Sequence, residues 1–214
     1  MNVVVDNLDV FLAGMRTTVE LSVLSFAIAF VIGNIAAAFR VSPVGPLRLV
    51  GTTYVELIRN TPLLVLMFMM VFGLPSIGFT YSFYVSAIVV LSAYTGTFVG
   101  ETVRSGINSV SRGQVEAARA LGLTFPQVLR LVVMPQALRT VVAPLGGIFI
   151  ALLKNSSLAA TISVSELTSA AEQIGTDTAQ FVPAYLGAAA AYLMLTIPSG
   201  FATAWTERKL AIKR

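Results

Sequence analysis

Apolar residues in this chain run in long blocks, and short polar or Pro/Gly-punctuated stretches separate the blocks. At about 20 residues per membrane crossing, the pattern predicts five spans, over 17–39, 49–72, 81–100, 136–153 and 183–204. The first is interrupted only by Glu20 and Asn34 and ends at Arg40, before a turn over 41–46. The block 63–72 is too short to cross alone at about 1.5 Å per residue, so the second span must borrow 49–60, with a kink at Pro62. Glu56 and Arg59, three apart on one helical face, are then placed to pair. The fourth span contains Pro144 and the small residues Gly146 and Gly147, which permit close approach of another helix. Between it and the fifth span, 155–182 reads as a polar loop, with Ser163 and Glu166 at capping-box spacing before a short helix ending near Ile174. Trp205 then stands as an interfacial anchor. Residues 1–16 are expected as an external lead-in, because Asp6 and Asp9 stand where a signal peptide carries positive charge.

Composition fixes the class. With 56% apolar and only 11% charged residues, and a mean hydropathy of +0.84, the chain has too little polar surface to coat a soluble globule. An all-α polytopic membrane protein is the consequence. The chain contains neither Cys nor His, which removes the common zinc sites and every Ser-His or Cys-His catalytic pair. No catalytic or metal site is expected. No repeat or low-complexity linker divides the spans, so 17–205 forms one membrane domain followed by a basic tail over 206–214.

Charge sets the orientation. Arg40, Arg48 and Arg59 flank the first loop; Arg104, Arg112, Arg119, Arg130 and Arg139 flank the third; Arg208, Lys209, Lys213 and Arg214 fill the tail. The second loop is uncharged, and the fourth carries Glu166, Glu172 and Asp177, with Lys154 at its edge. By the positive-inside rule the third loop and the C-terminus are cytoplasmic and the N-terminus is outside. The net charge of +4 is a topology signal, and no nucleic-acid partner is expected.

The third loop, 104–135, is where residue types point to a machine. Glu116 to Leu121 can be helical, Gly122 suits a left-handed C-cap, and Thr124 with Pro126 restarts a helix. Glu116, Ala117, Ala118, Gly122 and Pro135, with Val132 and Met134 at two apolar positions, resemble the E-A-A-x3-G-x9-I-x-L-P signature of permease subunits of ATP-binding-cassette importers. The stretches 59–63 (RNTPL) and 154–158 (KNSSL) look like further landmarks of the polar amino acid branch. Segments 94–101 and 104–109 look most like glutamate-type permeases of Gram-positive bacteria.

This resemblance implies the five-helix type I importer permease fold in a bacterial plasma membrane. It also implies a second permease subunit, identical or paralogous, two P-loop ATPase subunits, an external solute-binding protein and an amino acid substrate, with docking to the ATPase through Glu116, Ala117, Ala118, Gly122 and Pro135. The residues agree on one point: Lys occurs only at 154, 209 and 213, and none follows a Gly. No G-x-x-x-x-G-K-[ST] phosphate loop is present, so ATP and Mg²⁺ are expected on a separate subunit. Ala117 and Ala118 leave a face of little bulk suited to a groove.

For the substrate path the candidates are Lys154, a cation at a span end, and the hydrogen-bonding side chains of Asn155, Ser156 and Ser157. Lys154 would suit a carboxylate. Glu101 and Arg104, three apart, are expected to neutralise each other. The rival class is an ion-gradient-driven secondary transporter, which should show inverted repeats and ionisable residues near mid-membrane; here the charges gather at span ends.

Overall fold

The computed structural model describes residues 2–210. A short helix α1 (Asn2–Asp6) leads into α2 (Leu8–Val41), followed by α3 (Gly45–Arg59) and α4 (Leu63–Phe68). The chain continues from α4 through a π turn (Met69–Gly73) and a 3-10 turn (Leu74–Ile77). Then come α5 (Phe83–Asn108), α6 (Arg112–Ala120) and α7 (Phe125–Val128), which runs through a second π turn (Leu129–Val133) into α8 (Met134–Asn155). A 3-10 segment (Ser156–Ile162), α9 (Leu167–Thr178) and α10 (Phe181–Leu210) complete the order. No strand occurs among the described residues, and 211–214, the end of the basic tail, lie outside them.

Four helical runs are long and apolar enough to cross a membrane: Leu8–Val41, Phe83–Asn108, Phe125–Ile162 and Phe181–Lys209. A fifth crossing is reached only by counting α3 and the segment after it together, and these two are bent by 102°. The kink expected at Pro62 is large enough to break the helix in two, and the local chemistry explains it. The Asn60 side chain donates to the Glu56 carbonyl at 2.8 Å and Thr61 Oγ1 donates to the Leu57 carbonyl at 2.7 Å, which closes the last turn of α3. Pro62 then sits extended, at ψ 134°, with no amide to continue the helix. The expected Glu56–Arg59 pair does not form. Glu56 accepts instead from Asn60 Nδ2 at 3.1 Å, and the Arg59 guanidinium lies 5.5 Å from the centre of the Phe98 ring.

Residues 1–16 also differ from the lead-in expected of them. Helix α2 starts at Leu8, and Val3 and Phe11 are buried against Leu167, Ile174, Ala184 and Ala188, so this segment is part of the bundle. Asp6 and Asp9 remain exposed, so their charge does not oppose the packing of the apolar face beside them. The loop over 155–182 is likewise largely helical. Ser163 is not its cap, being left-handed at φ 62°; Glu166 alone caps α9.

The bundle packs most extensively between α2 and α5, where small residues let the backbones touch. A Cβ on Gly33 would stand 2.6 Å from Val99 Cγ1, and one on Gly100 would stand 2.9 Å from the Gly33 carbonyl oxygen. Gly146 serves α8 in the same way against Thr203 of α10, whereas a Cβ on Gly147 would meet nothing. Leu21, Met67, Leu91 and Leu152 form the centre of the core, drawn from α2, α4, α5 and α8.

Candidate functional site

The third loop folds as a closed hairpin mounted on the end of α5. Helix α6 ends in a Schellman arrangement: the Gly122 amide donates to the Arg119 carbonyl at 2.9 Å and the Leu123 amide to the Ala118 carbonyl at 3.2 Å. Gly122 holds φ 82°, a left-handed conformation that glycine adopts without a Cβ penalty. The chain re-enters a helix at once. Gln127 Oε1 accepts from the Thr124 amide at 2.8 Å and from Thr124 Oγ1 at 2.9 Å, half of a capping box, with Pro126 in the first turn.

A small core holds the two arms together. Ala118, Val128 and Val133 are buried, with Ile107, Val110, Val115, Leu123 and Val132 packed around them. Ala118 is thus the methyl at the centre of the hairpin, where a larger side chain would pry the arms apart, and it is not available to an outside groove as the sequence reading expected. Glu116, Ala117 and Gly122 are exposed, and beside them stand Leu121, 84% exposed, and Phe125, 66% exposed. Leu121 extends the outward face beyond the signature residues, whereas Phe125 lines the apolar cleft between α7 and α2. Pro135 is set apart from the tip, in the first turn of α8 beyond the π turn. Having no amide, it leaves the Leu131 carbonyl without its usual donor. The Met134 amide reaches back five residues to Leu129, and Gln136 Nε2 donates to the Val132 carbonyl at 3.0 Å.

The second candidate, 154–157, divides into two pairs. Ser156 is fully buried and its hydroxyl donates to the Leu153 carbonyl at 2.8 Å, while Ser157 Oγ donates to the Lys154 carbonyl at 2.7 Å. Both hydroxyls thus close the end of α8, and Ser156 has no surface to offer a solute. Lys154 is exposed and has no ion-pair partner among the described residues. Asn155 lines a recess of about 120 Å³ with Tyr94, Thr95, Phe98, Ile148, Ala151 and Leu152. The Tyr94 and Phe98 rings pack at a tilt of 57° with centres 5.2 Å apart, and the Arg59 guanidinium lies over the Phe98 ring. Tyr94, Phe98 and Arg59 come together from α5 and α3, a grouping that no local sequence pattern reports.

Glu101 is shared by two arginines, Arg104 three residues on and Arg40 from the last turn of α2. The same-helix half was legible in the sequence; the Arg40 half was not.

The family described as binding-protein-dependent transport system inner membrane component matches residues 29–212. The chain belongs to this family. The permease is 37% identical to the probable glutamine ABC transporter permease protein GlnM of Bacillus subtilis, over 98% of the chain and 97% of that protein. It is 36% identical to the glutamate transport system permease protein GluC of Corynebacterium glutamicum, over 92% of each. It is 32% identical to the glutamate/aspartate import permease protein GltJ of Escherichia coli, over 94% of the chain and 87% of that protein. Among solved structures, an amino acid ABC transporter with histidines has a chain that superposes at TM-score 0.92 and 32% identity, covering 96% of both. An inward-facing form of the MetNI methionine ABC transporter shares the fold, at TM-score 0.78 and 21% identity. The permease is a multi-pass membrane protein and a transport component.

Proposed function

We propose that this permease forms the translocation path of an ATP-driven amino acid importer and takes up the motion of a separate ATPase through the α6–α7 hairpin. The observation that carries the proposal is the hairpin itself. Schellman closure, the Gln127 cap and the buried Ala118 core make it a rigid body that presents Glu116, Ala117, Leu121 and Gly122 outward. A groove on the ATPase that receives this face would convert closure of the nucleotide-bound dimer into displacement of α5 and α8, exchanging inward-open and outward-open paths. ATP and Mg²⁺ belong to that partner. The working complex is read as two permease subunits, two ATPase subunits and an external solute-binding protein in the bacterial plasma membrane, with the hairpin and the C-terminus in the cytoplasm.

Orientation is tested by reporter fusions. Fusions after Ser111 and Arg214 should report cytoplasm and one after Ala179 the outside, as the Lys/Arg asymmetry requires. An external signal at Ser111 would invert the topology and end the coupling assignment with it.

For the substrate, the relatives named for glutamine and glutamate support a five-carbon polar amino acid, and two cations support the acidic one. Lys154 is exposed at the end of α8, next to Asn155 in the recess, and Arg59 lies over Phe98 in the recess wall. Lys154→Gln should lower uptake by about tenfold, equivalent to ~1.4 kcal/mol at the affected step, with binding-protein-stimulated ATPase activity retained. Unchanged uptake would leave Lys154 as an interfacial cation that snorkels to water.

A further inference from the structure

The hairpin is mounted on α5: only residues 109–111 separate α5 from α6, and Ile107 of α5 and Val110 pack in the hairpin core. Helix α2 is connected to it differently. Between the second half of α2 and the α7–α8 arm lies an apolar cleft of about 530 Å³, lined by Phe30, Ala38 and Val41 on one side and Phe125, Leu129 and Met134 on the other. The hairpin therefore does not push on α2 directly across this cleft. Along α5, α2 meets a seam of small residues, with Gly33 against Val99 and Gly100 against the Gly33 carbonyl. Val99 seats over Gly33 and Ile32 over Gly96, so the seam is apolar at these crossings, and among the described residues the one hydrogen bond between α2 and α5 is that of Arg40 to Glu101.

At the hairpin end of that seam stands the Arg40–Glu101–Arg104 cluster. Arg40 Nη1 donates to Glu101 Oε2 and Arg104 Nη2 donates to Glu101 Oε1. The Arg40 and Glu101 side chains are 14% and 29% exposed, so the pair is shielded well beyond an ordinary surface ion pair. The cluster holds two positive charges against one negative, and buried Arg104 Nε has no hydrogen-bond partner among the described residues. The two halves do different work. Arg104 binds its own helix, whereas Arg40 is the charged tie across to α2.

We propose that the Arg40–Glu101 pair is the link that makes α2 follow α5 when the hairpin moves, so that both are positioning residues for coupled transport. The proposal rests on the importer reading above. When the hairpin displaces α5, an intact link carries α2 with it; with the link cut, apolar packing alone joins the two helices at this end and α2 lags. Motion is then spent without completing the path.

The test is the complete complex of permease, ATPase and binding protein in proteoliposomes, reading substrate transported per ATP hydrolysed alongside the melting temperature. Arg40→Gln and Glu101→Gln should each lower that ratio by about tenfold while the ATPase continues to turn over. Arg104→Gln, which cuts only the same-helix contact, should leave the ratio within about twofold of wild type.

An equal fall for Arg104→Gln, or a wild-type ratio in Arg40→Gln, would overturn the proposal. So would uptake and ATP hydrolysis falling in step, which marks a brace for assembly. Should Arg40→Gln fail to assemble, Glu101→Gln, which keeps side-chain size, decides by the same ratio; failure of both to assemble also marks a brace and overturns the proposal. Wild-type complex lacking ATP-driven uptake is a separate result that sinks the importer reading.

Discussion

Gly122→Pro is expected to abolish ATP-driven uptake while leaving membrane insertion intact. Proline fixes φ near about −65°, whereas Gly122 stands at 82°, so the substitution cannot be accommodated without rebuilding the turn. It also removes the amide that donates to the Arg119 carbonyl. The Leu123 bond that follows is lost with the geometry, and Leu123 leaves the core around Ala118. Uptake should fall by at least about 100-fold, equivalent to ~2.7 kcal/mol in the coupled step.

Glu116→Lys reverses an exposed charge on the outward face without touching the turn, so the same loss there, with the fold retained, separates docking from hairpin stability. The measurement is uptake at matched membrane expression for both variants. Normal uptake in either one would remove the hairpin from the mechanism.

The second large effect concerns Glu166, where stability is at stake. Its buried carboxylate accepts from the amides of Thr168 at 2.8 Å and Ser169 at 3.0 Å, from the Tyr192 hydroxyl at 2.6 Å and from Thr18 Oγ1 at 3.4 Å. Thr18 Oγ1 in turn accepts from the Leu167 amide at 3.2 Å. One side chain therefore ties α2, α9 and α10 together.

Glu166→Ala leaves these donors without an acceptor, at about 1–3 kcal/mol each, and should lower stability by roughly 3–5 kcal/mol. Glu166→Gln should stay within about 1 kcal/mol of wild type, since an amide oxygen can serve the α9 amides while its NH2 donates to the hydroxyls.

Burial pushes the Glu166 carboxyl up from its ordinary value, against the lowering effect of its hydrogen bonds. A folded value above the unfolded one gives a contribution fully present below the ordinary carboxylate range and lost as pH rises through the folded value. Wild-type melting temperature should therefore decline more steeply than that of Glu166→Gln as pH is raised above about 4.3, the unperturbed glutamate value. A melting temperature of Glu166→Ala equal to wild type would contradict the hub.

What was legible in the sequence was local. Apolar blocks of spanning length marked the long helices, because a membrane demands contiguous apolar residues. The hairpin was legible because turn chemistry is written within a few residues: Gly122 for the left-handed cap and Thr124 with Pro126 for the restart. What escaped depends on residues far apart in the chain. Arg40 reaches Glu101 across 61 positions, and Glu166 reaches Thr18 across 148; no helical periodicity reports either.

Ala118 read as an outward face because small residues suit both an external groove and a crowded interior. Only the packing of Val128 and Val133 against it distinguishes the two. The break at Pro62 was foreseen in place but not in size, since the bonds of Asn60 and Thr61 to the end of α3 turn a kink into a 102° bend.

The central claim is that this permease moves an amino acid by the energy of a partner's ATP, and uptake into proteoliposomes tests it most directly. The permease is reconstituted with its purified ATPase and binding protein, and labelled glutamate and glutamine are supplied with either ATP or an imposed proton or sodium gradient. Uptake should require ATP and both partners and be indifferent to the gradient. Accumulation driven by the gradient alone, with ATP and the partners absent, would contradict it.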